Sequence, residues 1–169
     1  MTTGPRDEVP LDRAVAPLDP AEEAAWRAIA RAMIAVPRAL DADMIAEQDM
    51  TMGEYFVLMN LSEAEGRRLR MTQLAQRGSL SPSRMSRLVD DLVRRGWVER
   101  AKCDSDGRSS FAVLTVDGFA RLEAAYPTHL ASVRRNVVDH LAGIDLSALA
   151  HAVSRFAGGT HLDSQVCAE

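Results

Sequence analysis

The chain has 169 residues, 47% hydrophobic and 26% charged. That suits one globular domain, or a small domain with an oligomerisation element, large enough to need no covalent staples. Two cysteines, Cys103 and Cys167, give neither a disulfide framework nor a zinc spacing, so the chain reads as intracellular and cytoplasmic. No apolar run approaches the roughly 18 residues of a membrane helix, and no signal peptide precedes the domain.

Residues 1–18 contain prolines and acids and read as a flexible arm. Asp19-Pro20 then opens a helix, with a cap, a proline at the first position, and Glu22 and Glu23 against the positive end of the dipole. Trp26, Ile29, Met33, Val36, Leu40 and Met44 recur at helical steps, so the helix runs to about Glu47, with a kink expected at Pro37. Thr51-Met52-Gly53-Glu54 is a capping box, and Tyr55, Val57, Leu58 and Leu61 carry a short helix to about Ser62. Glu63 to Arg70 reads as a charged connector. Thr72 is expected to cap a short helix over 73–77, with Leu74 and Ala75 inward, and Gly78-Ser79-Leu80 makes a turn.

The next helix has both ends written in. Ser81 can cap it, Pro82 fits its first position, Met85, Leu88, Val89 and Leu92 form its apolar stripe, and Gly96 supplies a left-handed stop. Short helix, tight turn and longer helix together make a helix-turn-helix. Residues 97–101 and 111–114 then read as paired strands around a polar, turn-rich segment. A hairpin directly after such a helix is a wing. Thr115 caps another long helix whose stripe runs from Phe119 to Leu141, with Pro127 expected to bend or interrupt it, and Asp145 caps a last helix that Gly158-Gly159 stops.

The fold expected is mainly α with a small β-hairpin wing (α+β). A winged helix-turn-helix over about 51–115 lies between helices over about 19–48 and 116–157, in one domain over 19–157, with a flexible tail over 158–169. The apolar stripes of the outer helices exceed what a compact winged module can bury, so a second copy is expected to cover them as a homodimer.

Net charge is −4, which argues against a generic nucleic-acid binder. Its distribution argues otherwise: residues 67–108 carry 11 Lys and Arg against 5 Asp and Glu, a local +6, and the remainder carries −10. A basic segment in an acidic chain marks one surface for a polyanion. On the helix from Ser81, the side chains of Ser83, Arg84, Ser86 and Arg87 lie on or beside the face opposite the stripe. Guanidinium forks match guanine edges, and hydroxyls suit phosphate. Lys102 at the wing base and Thr72 are further phosphate candidates, whereas Arg94 and Arg95 sit where a helix dipole favours cations. His129, His140 and His151 are each eleven residues apart, and on one helix that spacing is about 16 Å, too far for a shared metal. With no glycine-rich phosphate loop, nucleophile elbow or HExxH run, neither an enzyme nor a cofactor is indicated.

In residue order, Met71-Thr72-Gln73-Leu74-Ala75-Gln76, Leu80-Ser81-Pro82-Ser83, Ser86-Arg87-Leu88-Val89-Asp90, Gly96-Trp97-Val98-Glu99-Arg100, Asp104-Ser105-Asp106-Gly107-Arg108-Ser109, Leu114-Thr115 and Gly118 resemble the MarR family of bacterial transcription regulators. The resemblance implies a triangular dimer binding a pseudo-palindromic operator in double-stranded DNA, mostly as a repressor, and release by a small, often aromatic, effector or by thiol oxidation. It implies that Ser81, Ser83, Arg84, Ser86 and Arg87 contact the major groove. In the wing motif Asp106-Gly107-Arg108, it implies that Arg108 enters the minor groove while Asp106 orients a guanidinium. Arg84 departs from the small residue often found there, which points to a different base preference, and Gly78-Ser79 departs from a common turn. Trp26, Met33, Tyr55 and Met59 mark the region of the family's effector cleft, against plain core packing as the alternative. Two further readings stay open: a winged module for protein–protein contact without DNA activity, and an oxidant sensor using Cys103.

Overall fold

The computed structural model describes residues 16–103 and 106–157. Among them the elements run α1 (Pro20–Gln48), α2 (Met52–Ser62), β1 (Arg68–Arg70), α3 (Met71–Arg77), α4 (Pro82–Arg94), β2 (Val98–Cys103), β3 (Asp106–Leu114), α5 (Val116–Asn136) and α6 (Leu146–Ala157). The chain divides into two compact units at Ala35/Val36, within α1. In the first unit, Asp19 caps α1 by accepting from the N–H groups of Ala21 and Glu22, at 2.7 and 2.9 Å.

In the second unit, one core gathers Val57, Leu58 and Leu61 of α2, Leu74 of α3, Met85, Val89 and Leu92 of α4, and Leu122 and Ala125 of α5. The sheet closes it from one side. Strand order is β1-β3-β2, all antiparallel, with Arg68 opposite Val113, Arg70 opposite Phe111, and Phe111 opposite Ala101. Directly paired residues share a face. Leu69, Ala112, Leu114 and Val98 are therefore the buried face, and Arg68, Arg70 and Phe111 lie on the other.

Three expectations need correction. The connector after α2 holds a strand, β1, because Leu69 buries against the core while Arg68 and Arg70 stay outside. Thr72 does not cap α3. Arg70, still extended as the last residue of β1, is the cap residue, and its N–H donates to Gln73 Oε1 at 3.1 Å. Helices α1 and α5 each continue through their internal proline, Pro37 and Pro127, so neither residue interrupts its helix. Both prolines are exposed. Finally, α5 stops at Asn136 rather than Leu141, and Val138–Leu141 form a separate 3-10 turn. Asn136 donates its amide to Ser132 O and to Asp43 Oδ2, both at 3.0 Å, and so competes with the helix ladder at that point.

The remaining caps follow the sequence. The capping box at Thr51 is reciprocal, with Thr51 N–H donating to Glu54 Oε2 at 2.7 Å and Glu54 N–H to Thr51 Oγ1 at 3.1 Å. Thr115 accepts from Gly118 N–H at 2.9 Å, and Asp145 from Ser147 and Ala148 at 2.9 and 3.0 Å. The proposed stop at Gly158-Gly159 lies outside the described residues.

Candidate nucleic-acid interface

Helices α3 and α4 pack around the turn at Gly78–Leu80, where Leu80 N–H closes back onto Ala75 O at 3.0 Å and Ser79 adopts a left-handed φ of 48°. Ser81 Oγ accepts from Arg84 N–H at 3.3 Å and lies 3.3 Å from Ser83 Oγ. The stripe of Met85, Val89 and Leu92 is buried, which turns Ser83, Arg84 and Arg87 outward. All three are exposed. Among the described residues, neither arginine forms an ion pair. Within those residues, two full charges thus stand unpaired on the first two turns.

Ser86 is placed differently. It is half-buried, and the Arg100 guanidinium of β2 donates to its hydroxyl at 2.9 Å, to its carbonyl at 3.3 Å and to Asp90 Oδ1 at 3.0 Å. Arg100 therefore ties the wing to the middle of α4 and fixes the angle between them. Sequence patterning gave no sign of this. Arg100 shares the core side of β2 with Val98, a placement that only the strand register reveals.

The far end of α4 is anchored. Gly96, at φ 76°, ends the helix as expected. Trp97 N–H reaches back to Leu92 O and Gly96 N–H to Val93 O, both at 3.0 Å, a complete Schellman closure. Arg94 pairs with Asp91. Arg95 donates to Asp49 O at 2.8 Å and Asp49 Oδ2 at 3.1 Å, and lies 3.5 Å from Glu54 Oε1, whose residue is only 5% exposed. Asp49 is itself left-handed, at φ 45°, in the corner between α1 and α2. The Trp97 ring carries the Arg95 guanidinium at 4.9 Å and that of Arg121 at 5.5 Å. Arg121 also holds Gln48 at the end of α1, donating to Oε1 at 2.8 Å. The Trp97 carbonyl accepts from Thr115 N–H at 3.1 Å, and Gly118 packs so closely that a Cβ there would sit 2.0 Å from that oxygen. The end of α4, the α1–α2 corner and the start of α5 are thus locked together. Arg95 serves this anchor as well as the helix dipole.

The wing strands are paired from Val98–Leu114 to Lys102–Ser110, with an irregularity at Lys102/Cys103. The side chains of Lys102, Cys103, Asp106 and Arg108 lie outside the described residues, as do residues 104–105. Thr72 is exposed in the first turn of α3.

Of the four effector-region residues, Trp26 and Met33 belong to the first unit and are 55% and 64% exposed. Tyr55 and Met59 belong to the second. Tyr55 is buried, its ring 4.4 Å from that of His129 at an interplanar angle of 32°, and Met59 packs against the core. Burial pushes the Tyr55 hydroxyl pKa up and the His129 imidazole pKa down. His129 Nδ1 is buried without a hydrogen-bond partner, so this histidine is a packed one. The Ser132 hydroxyl (2.5 Å) and the Arg135 guanidinium (2.6 Å) of α5 hold the pKa of the Asp43 carboxyl of α1 below the usual range.

This geometry has close relatives. Sco3205, a MarR family transcriptional regulator from Streptomyces coelicolor solved in complex with DNA, superposes with a TM-score of 0.80 at 33% identity, over 88% of this chain and 92% of that one. The chain belongs to the MarR family. AbsC, a MarR family regulator from the same organism, gives 0.78 at 37% identity over 85% and 97%. The MarR family model itself matches residues 48–109, from the corner before α2 into the wing. The HTH-type transcriptional repressor YetL of Bacillus subtilis is 34% identical over 88 residues, and the chain spans about half of it, 53%. The winged helix-turn-helix expected from the sequence is therefore the fold observed. Among the described residues, no helix is long and apolar enough to cross a membrane.

Proposed function

We propose that this protein is a homodimeric transcription regulator that binds a pseudo-palindromic operator and represses from it. The observation that carries the reading is the bare start of α4: Arg84 and Arg87 are exposed, without ion-pair partners among the described residues, on a helix whose other end is anchored. Ser81, Ser83, Arg84 and Arg87 are assigned to the major groove, Lys102 and Thr72 to phosphate, and Arg108 of the wing to the minor groove, where a narrow groove concentrates negative potential. Ser86 and Asp106 are assigned to positioning guanidinium groups, since Arg100 already occupies the Ser86 hydroxyl.

The dimer is supported by apolar side chains that stand exposed in a single copy: Trp26, Met33 and Ile34 on α1, Tyr126 and Leu130 on α5, and Leu146 and Val153 on α6. A two-fold dimer places half-sites about 10 bp apart on one DNA face. A small aromatic effector would act through its differential affinity for two spacings of the recognition helices.

The test is selection of bound fragments from genomic DNA, followed by mobility shifts at two salt concentrations. A palindromic consensus bound with steep salt dependence is expected. Salt-insensitive binding, or none, would favour a winged module used for protein contact instead. Promoter fusions in cells with and without the protein test repression.

A further inference from the structure

The arginines of this protein fall into two groups. Arg94, Arg95 and Arg100 meet carboxylates. Arg68 and Arg70 of β1 do not, among the described residues, and both are exposed. Instead their guanidinium carbons lie 5.2 and 5.4 Å from the centroid of the Phe111 ring, on the outer face of the sheet. A cation–π contact at this range holds a guanidinium beside the ring and leaves its charge and its N–H groups unspent. Such groups match phosphate oxygens.

Their position is as telling as their chemistry. β1 runs toward the wing tip, and Arg70 is both its last residue and the cap residue of α3, the first helix of the helix-turn-helix. Across the ladder Arg70 faces Phe111, three residues along β3 from position 108, on the order of 10 Å at strand spacing. The Arg70–Phe111–Ala101 row contains no acid, and on this face Glu99 stands two strands away from Arg68. The pair therefore bridges the helix-turn-helix and the wing with positive charge.

We propose that Arg68 and Arg70, held over Phe111, form an additional phosphate-binding site that grips the DNA backbone between the groove contacts of α4 and the wing. This rests on the DNA-binding reading above. An acidic protein partner is the competing occupant. Continuity with the helix-turn-helix and the wing favours the duplex, because any DNA seated on both passes their junction.

The test is fluorescence anisotropy with a fluorescein-labelled duplex carrying the selected operator, titrated across salt concentrations. The proteins compared are wild type, R68Q/R70Q, R68K/R70K and Arg84→Ala, each checked for an unchanged melting temperature. Each lost phosphate contact flattens the log–log salt slope by about 0.9. R68Q/R70Q is expected to flatten it by roughly 2, and R68K/R70K to restore it. A wild-type slope in R68Q/R70Q alongside weakened binding in Arg84→Ala, or failure of the lysines to restore the slope, overturns this proposal and leaves the DNA-binding reading standing. No salt-dependent binding by wild type overturns both.

Discussion

At the start of α4, Arg84 and Arg87 stand in solvent with no ion-pair partner among the described residues. At its end, Arg95 is held by Asp49 and Glu54 and leans on Trp97. The residue type is the same and the helix is the same, so composition alone cannot separate contact from scaffold. What separates them is whether the charge is already spent inside the protein. An exposed cation without a partner loses little by meeting phosphate, whereas Arg95 would first have to abandon a nearly buried glutamate.

The largest effect should come from breaking the anchored end. Gly118→Ala forces a Cβ to 2.0 Å from the Trp97 carbonyl oxygen and 2.9 Å from Leu114 Cδ1. Backbone has to move, and a loss of roughly 3 kcal/mol is expected in denaturant unfolding. A stability within about 0.5 kcal/mol of wild type would show that α5 does not bear on Trp97 as described. At the other end, Arg87→Ala should weaken operator binding by about 1–3 kcal/mol and relax base preference, with stability barely changed. Equal binding to matched and scrambled duplexes by the wild type would remove its reading role.

Arg95→Ala reverses that pattern. It should cost about 1–2 kcal/mol of stability, discounted because Arg95 is partly exposed and Glu54 keeps its bonds to Thr51, while the salt slope of binding stays put. A flattened slope would move Arg95 into the contact set. Smaller still is Ser86→Ala, at about 0.5 kcal/mol in stability, since Arg100 retains Asp90.

Last comes acid. His129 is held neutral by burial, so its folded pKa lies below the unfolded value near 6.5, and the unfolded chain binds more protons in that window. Stability should therefore fall as pH drops below about 6.5. In His129→Leu the fall should be shallower there, read from urea midpoints. Asp43, whose carboxyl is held below its usual range, loses its contribution only at lower pH, as it protonates.

Much of this was legible in the sequence because local chemistry writes it. Thr51 and Glu54, Ser81 and Pro82, and Gly96 each act within one helical turn, and each does what its type and spacing dictate. The features that were not legible are long-range. Arg-Leu-Arg offers a single apolar residue, and only its pairing with β3, more than forty positions away, makes it a strand. Arg70 displaced Thr72 as the cap residue because that strand delivers the chain to α3 already extended. Arg100 and Arg95 are indistinguishable from contact arginines until Ser86, Asp90, Asp49 and Glu54 are brought beside them.

The short β1 also has a bearing on solubility. A three-stranded sheet with β3 in the centre has two edge strands among the described residues, and an unpaired edge can recruit a strand from another molecule. Three residues make a poor template for such recruitment, and two guanidiniums there would repel the like-charged flank of another molecule. Neutralising Arg68 and Arg70 together would therefore leave the folded protein more prone to self-association at high concentration, whatever it does on a duplex.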